Sequence, residues 1–249
     1  MKFNLPIRKS WGQNFLTDSN TIDKIIDIIS PKKNETILEI GPGYGALTNK
    51  IIPKCKKIYA VEIDPLLCNK LKEKKYSNLI LFNQDILKWT NDFKKQDNIK
   101  IIGNLPYYIS SPIIFKFLKY NFWEEMIIML QKEVAERIIS ENNHKSFSRI
   151  SVMCQTFCEI DLKMQISKNV FHPKPKVDSA IITLKRNDTN IDIESFSLFV
   201  KQAFSKRRKT IKNNFKNFCN VELLNEYGSK RAQELTIQEF KKLYRKIYI

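Results

Sequence analysis

The stretch Asn104-Leu105-Pro106-Tyr107 ends a short apolar run that starts at Ile99, and it brings an amide, a rigid turn and an aromatic ring to one point. Those parts suit chemistry on the exocyclic amine of a nucleobase. Such an amine is a poor nucleophile, because its lone pair is delocalised into the ring. A site that overcomes this needs acceptors for the two amine protons, to draw the nitrogen toward tetrahedral geometry. The Asn104 side-chain carbonyl and the Leu105 backbone carbonyl can be those acceptors. Pro106 fixes φ and stiffens the turn. Tyr107 offers a flat face to a base pulled from its stack.

A second set of residues could hold the other reactant. In "EIGPGYGAL", Gly41 and Gly43 let the backbone approach a ligand closely, and Gly45 helps the following helix to pack. Glu62 comes about 20 residues later, the offset of a ribose-binding carboxylate. Asp85 ends the next apolar run, at the same expected edge. A nicotinamide dehydrogenase would carry G-x-G-x-x-G, so that a pyrophosphate can sit on the helix N-terminus. Here the glycines read G-P-G-Y-G and follow Glu39. A carboxylate beside the loop is awkward for a diphosphate and suits a cation. Glu39, Glu62 and Asp85 together favour S-adenosylmethionine, which carries a sulfonium and an ammonium group and no phosphate.

These residues need a frame. "DSNTIDKIIDIISP" has Ile22, Ile25, Ile26 and Ile29 at helical spacing, with Ser19 or Asn20 as cap and Pro31 as stop. Strands are predicted at 36–40, 58–63, 79–82, 99–104, 126–130 and 179–184. Helices fall near 46–52, after Pro65, near 111–119 and near 131–140. That alternation means βαβ units and a mostly parallel sheet. The expected class is therefore α/β, Rossmann-like, over residues 1–185. Residues 186–249 show helical but no strand periodicity and read as a small basic helical domain.

In order along the chain, "GQNFL" (12–16), "EIGPG" (39–43), "VEID" (61–64), "QD" (84–85) and "GNLPY" (103–107) resemble the KsgA family of small-subunit ribosomal RNA adenine dimethyltransferases. So do "MLQKEVAERI" (129–138), "FHPKPKVDSA" (171–180) and "AFSKRRKTIKN" (203–213). The resemblance covers nearly the whole chain. It implies that Asn14 and Leu16 border the cofactor, that Gly41 meets its methionyl part and Glu62 its ribose. Asp85 would meet the adenine end, and Asn104 would serve both cofactor and target amine. Tyr107 would stack on the base, and Phe171 would be a second stacking ring. The implied reaction places two methyl groups on each of two adjacent adenosines near the 3′ end of the small-subunit RNA. From its residues alone, "GQNFL" reads only as a polar loop ahead of a helix. Trp11 stands where the family usually has Phe, and Ser148 where it usually has Gly. If that glycine needs a positive φ, the local loop here must differ.

Charge points to the same partner. The 249 residues hold 43 Lys+Arg against 26 Asp+Glu, a net charge of +17, which suits a polyanion. In "AFSKRRKTIKNNF", Lys206, Arg207, Arg208, Lys209 and Lys212 surround Phe204, Ile211 and Phe215. Read as a helix, this segment buries one face and turns a cationic one to RNA phosphates. Such charges position RNA without reading its sequence. The macrolide-resistance Erm enzymes, which act on large-subunit RNA, are the nearest rival, but they commonly have Ile and Phe where this chain has Leu105 and Tyr107. A non-catalytic RNA-binding assembly or transcription factor would show a degraded pocket, and every pocket residue is present. The cysteines, Cys55, Cys68, Cys154, Cys158 and Cys219, form no CxxC pair and read as buried free thiols. No metal site is expected. No 18-residue apolar run and no leader-like apolar start occurs, so a cytoplasmic monomer acting on the small subunit or its immature precursor is expected.

Overall fold

The strand–helix alternation is present in the computed structural model, which describes residues 5–8, 11–218, 224 and 226–248. The chain runs β1 (Phe15–Leu16), α1 (Ser19–Ile29), β2 (Thr36–Ile40), α2 (Thr48–Ile51), β3 (Lys57–Glu62), α3 (Pro65–Lys72) and β4 (Leu79–Asn83). It continues with β5 (Ile99–Asn104), α4 (Ser110–Leu118), β6 (Trp123–Gln131), α5 (Lys132–Ile138), α6 (Arg149–Phe157) and β7 (Cys158–Ile166). Then follow β8 (Phe171–His172), β9 (Ser179–Arg186), α7 (Ile193–Ala203), α8 (Ile211–Phe215) and α9 (Ile237–Tyr248). In α1 the four isoleucines at helical spacing form the buried face. Its cap is Asp18, whose carboxylate accepts the Thr21 N–H at 2.6 Å, and not Ser19 or Asn20. Aspartate serves this position as well as either.

Seven strands form one sheet in the order β4-β3-β2-β5-β6-β9-β7. From β4 to β6 the neighbours are parallel, and β9 lies antiparallel to β6. Ile37, Leu38, Ile58, Ile101 and Ile102 are fully buried. Strands covered on both faces read as near-continuous apolar runs, which is why these were visible in the sequence. Strand order reverses between β2 and β5, and open α/β sheets bind ligands at the carboxyl ends of such a pair. Gly103 permits the closure of that pair. It lies opposite Ile40, and a Cβ there would stand 2.6 Å from the Ile40 carbonyl oxygen.

The chain divides into two units, and the division differs from the expected one at 185/186 alone. Residues up to Ala135 join Asp161–Lys185, while Glu136–Ile160 joins the residues from Arg186 onward. Aromatic packing explains the transfer of 136–160. Phe157 meets Phe196 edge-on at 5.7 Å, and Phe147 lies 6.4 Å from Phe240. The basic segment is also corrected. Residues 204–209 are turns that separate α7 from α8, not part of a helix. Ser148 has φ −158° and caps α6, so this loop needs no glycine. Cys154 lies in α6 and Cys158 opens β7, so they do not share a helix face. Cys55, Cys68, Cys154 and Cys158 are buried free thiols; Cys219 lies outside the described residues. Among the described residues no helix is long and apolar enough to cross a membrane.

Candidate active site

Glu39 on β2, Glu62 at the end of β3, Asp85 after β4 and Asn104 at the end of β5 all line one cavity at the carboxyl edge of the sheet. Gly41 forms part of its floor, with φ +66°. A Cβ there would find nothing nearer than the Asn104 carbonyl oxygen at 3.9 Å. A side chain would thus occupy the cavity itself, so this glycine keeps space for a ligand. Gly45 meets α3 more closely than it does the sheet, since its Cβ would lie 2.8 Å from Leu71 Cδ2.

Two buried carboxylates give the cavity its electrostatic character. Glu62 is 6% exposed. Its Oε2 accepts the Gly43 N–H and its Oε1 the Asp64 N–H, each at 3.0 Å. An ionised carboxylate offers about four lone-pair sites, so room for two hydroxyl donors remains. Burial raises its pKa, opposed by the Asp64 and Gly43 N–H groups. Glu39 is 2% exposed and accepts the Thr48 hydroxyl at 2.7 Å. Burial pushes its pKa up to about 7; the Thr48 hydrogen bond opposes this and the Glu62 charge adds to it. Among the described residues no Lys or Arg pairs with either carboxylate. Such a pair favours a ligand that brings positive charge and vicinal hydroxyls, and S-adenosylmethionine fits that set. A diphosphate does not.

Asp85 is held by its own turn, its Oδ1 accepting the Leu87 N–H at 2.8 Å. Lys116, on α4, tethers the same turn. Its Nζ donates to the carbonyls of Ile86 at 2.8 Å and Leu87 at 3.0 Å, and to that of Trp89.

Asn104 is fixed by the segment before α1. Its Nδ2 donates to the Asn14 carbonyl at 2.8 Å, and Asn14 Nδ2 donates to Gly12 at 3.0 Å. The Asn104 Oδ1 has no donor among the described residues, nor has the Leu105 carbonyl. Leu105 itself is buried, with its N–H on the Met129 carbonyl at 2.9 Å. The Tyr107 hydroxyl bonds to Ser179 Oγ at 2.6 Å. Burial holds that phenol's pKa above its ordinary value, so it is neutral and serves as an anchor.

Phe171 departs from expectation. It is 4% exposed, pairs with Leu16 across β8 and β1, and belongs to the apolar core, not to the cavity wall. Of the residues assigned by resemblance, the structure gathers Asn14, Leu16, Gly41, Glu62, Asp85, Asn104, Leu105 and Tyr107 around one cavity. Lys206, Arg207, Arg208, Lys209 and Lys212 are all exposed in the other unit, where Arg207 donates to the Lys145 carbonyl. Ser179, Lys116 and Gln13 went unread in the sequence. Ser179 and Gln13 each had a signal, their places in "VDSA" and "GQNFL"; Lys116 had none. Gln13 Nε2 donates to Asp64 Oδ2 at 2.8 Å, which ties "GQNFL" to the cap of α3.

Parallel sheet, switch point, open glycine and unpaired carboxylates define a Rossmann-like methyltransferase. The sequence agrees throughout its length. The model of the family described as ribosomal RNA adenine dimethylase matches residues 4–245. The protein named ribosomal RNA small subunit methyltransferase A from Mycoplasma mobile is 42% identical over 248 residues, covering 95% of this chain and 96% of that protein. A dimethyladenosine transferase from Plasmodium falciparum superposes with a TM-score of 0.80 at 28% identity, over 92% of this chain and 95% of that one. The 23S rRNA methyltransferase ErmE superposes at 0.70 with 24% identity, over 94% and 99%, and shows the fold alone. The chain belongs to the ribosomal RNA adenine dimethylase family. It is an S-adenosylmethionine-dependent adenine N6,N6-dimethyltransferase of small-subunit ribosomal RNA.

Proposed function

We propose that the chain, as a cytoplasmic monomer, dimethylates two adjacent adenosines near the 3′ end of the RNA in an immature small subunit. One observation carries the chemistry. The Asn104 amide nitrogen is committed to Asn14, which leaves its oxygen beside the Leu105 carbonyl as the acceptor pair that the target amine needs. Glu62 takes the two ribose hydroxyls, Asp85 the adenine end, and Gly41 leaves room for the methionyl part, with Asn14 and Leu16 at the border. Bound S-adenosylmethionine supplies an electrophilic methyl group. Asn104 and Leu105 accept hydrogen bonds from the N6 protons, which localises the nitrogen lone pair toward its incoming bond. Neither acceptor is basic, so the proton released with each methylation passes to water. Tyr107, held by Ser179, stacks on the flipped base. The exposed cations of 206–212 contact RNA phosphates.

The test is incubation with methyl-labelled S-adenosylmethionine and either undermethylated small subunits or large subunits. Label on two adjacent small-subunit adenosines is the expected result. Label on large-subunit RNA, or equal label on naked RNA and on subunits, would overturn the substrate reading.

A further inference from the structure

Helix α9 carries Lys241 and Arg245 four residues apart, a spacing at which like charges on a helix repel. Gln238 lies on the same face, while Phe240, Leu243 and Tyr244 are buried on the other. The cationic face borders a polar cavity whose remaining walls are Thr156 of α6 and the linker from Asn187 to Asn190. All of these residues belong to the second unit.

Three features of this cavity ask for an anion. Neither Lys241 nor Arg245 has a hydrogen-bond or ion-pair partner among the described residues. Burial and the neighbouring Arg245 charge both push the Lys241 ammonium pKa down, and an anion between the two cations would oppose both effects. The bordering carboxylate, Asp188, already acts on Arg186. Thr156 is 1% exposed, and its hydroxyl has no partner. A buried unpaired hydroxyl is uncommon in a native fold, and a valine of the same shape would avoid it. Asn187, Asn190 and Gln238 add neutral donors.

We propose that this cavity binds a phosphate group, held by Lys241 and Arg245 and hydrogen-bonded by the Thr156 hydroxyl. The phosphate is either a backbone phosphodiester of the RNA, a source that rests on the RNA reading above, or free phosphate. Three full-length proteins separate the cases: wild type, Lys241→Met with Arg245→Met, and Thr156→Val. Inorganic phosphate, at ionic strength matched with chloride, should raise the wild-type melting temperature and leave the double variant unmoved. For small-subunit RNA, the slope of log affinity against log salt should fall by roughly 1–2 in the double variant. Thr156→Val should melt higher than wild type in chloride, yet lose the phosphate response. A phosphate response with an unchanged slope identifies free phosphate as the source; a reduced slope without that response identifies the RNA. Wild type that ignores phosphate while the slope is unchanged overturns the site. So does a Thr156→Val protein that is merely destabilised and keeps the phosphate response. Subunit methylation is read separately, so failure of the RNA reading leaves a phosphate response standing.

Discussion

Asn104 is useful to a target amine only if its oxygen, and not its nitrogen, meets the substrate. The Asn14 carbonyl decides that orientation by accepting the amide N–H at 2.8 Å. Because acceptance matters most as the nitrogen becomes tetrahedral, Asn104→Ala should lower single-turnover methylation by roughly 10²-fold or more. Subunit binding, which we assign to the exposed cations of 206–212, should persist. Near-normal turnover would break the mechanism. Tyr107 calls for a different expectation. Its ring is the stacking platform we propose, and its hydroxyl bonds to Ser179, which is fully buried. Tyr107→Phe therefore strands a buried Ser hydroxyl, at about 1–3 kcal/mol. Removing both partners, as Tyr107→Phe with Ser179→Ala, should recover most of the melting temperature. If the double variant melts no higher than Tyr107→Phe alone, the pair does not anchor the ring.

At the scale of elements, the cavity depends on turns held by distant side chains. Lys116 shows this most clearly, since one ammonium binds three carbonyls of the turn that carries Asp85 and Ile86. Lys116→Met keeps the stem and removes the donors, so calorimetry should show S-adenosylhomocysteine binding weakened by about tenfold or more. Unchanged affinity would mean that the turn holds itself. Such tethers explain what the sequence could not disclose. Strands β2, β3 and β5 were legible because they are mostly apolar, as burial on both faces demands, and the edge strand β4 because of its apolar run at 79–82, although none of its residues is fully buried. Their carboxyl ends then located Glu62, Asp85 and Asn104 without a structure. Strand β7 was missed because its burial is broken, with Glu159, Leu162 and Lys163 exposed. The basic segment was misread as a helix because Phe204, Ile211 and Phe215 mimic helical spacing across a turn. Phe171 was assigned to the cavity by motif, whereas its pairing with Leu16 carries it into the core. Lys116 to Trp89 and Tyr107 to Ser179 are contacts across separate elements, and local periodicity carries no trace of them.

On the scale of the whole molecule, the buried carboxylates link folding, acidity and cofactor binding. The Glu39 pKa rises from 4.5 to about 7 on folding, chiefly through burial. Between those values the folded chain holds a proton that the unfolded chain has released. Stability from this group is therefore greatest below the unfolded value, declines as pH rises through the window, and is gone above the folded one. The size of the effect is about 3 kcal/mol. The apo protein should thus lose melting temperature between weakly acidic and neutral pH. Glu39→Gln, which keeps an acceptor for Thr48, should flatten that slope. A cationic ligand reverses the preference, because it stabilises the ionised carboxylate. Its affinity should rise with pH up to the folded pKa and then level off. Near neutral pH, binding should release a fraction of a proton, seen as a buffer-dependent calorimetric enthalpy. Glu39→Gln should abolish both the release and the rise. Melting curves that climb with pH over the same window, or binding without proton release, would show that Glu39 is ionised before the ligand arrives and that the cavity is built on a standing negative charge.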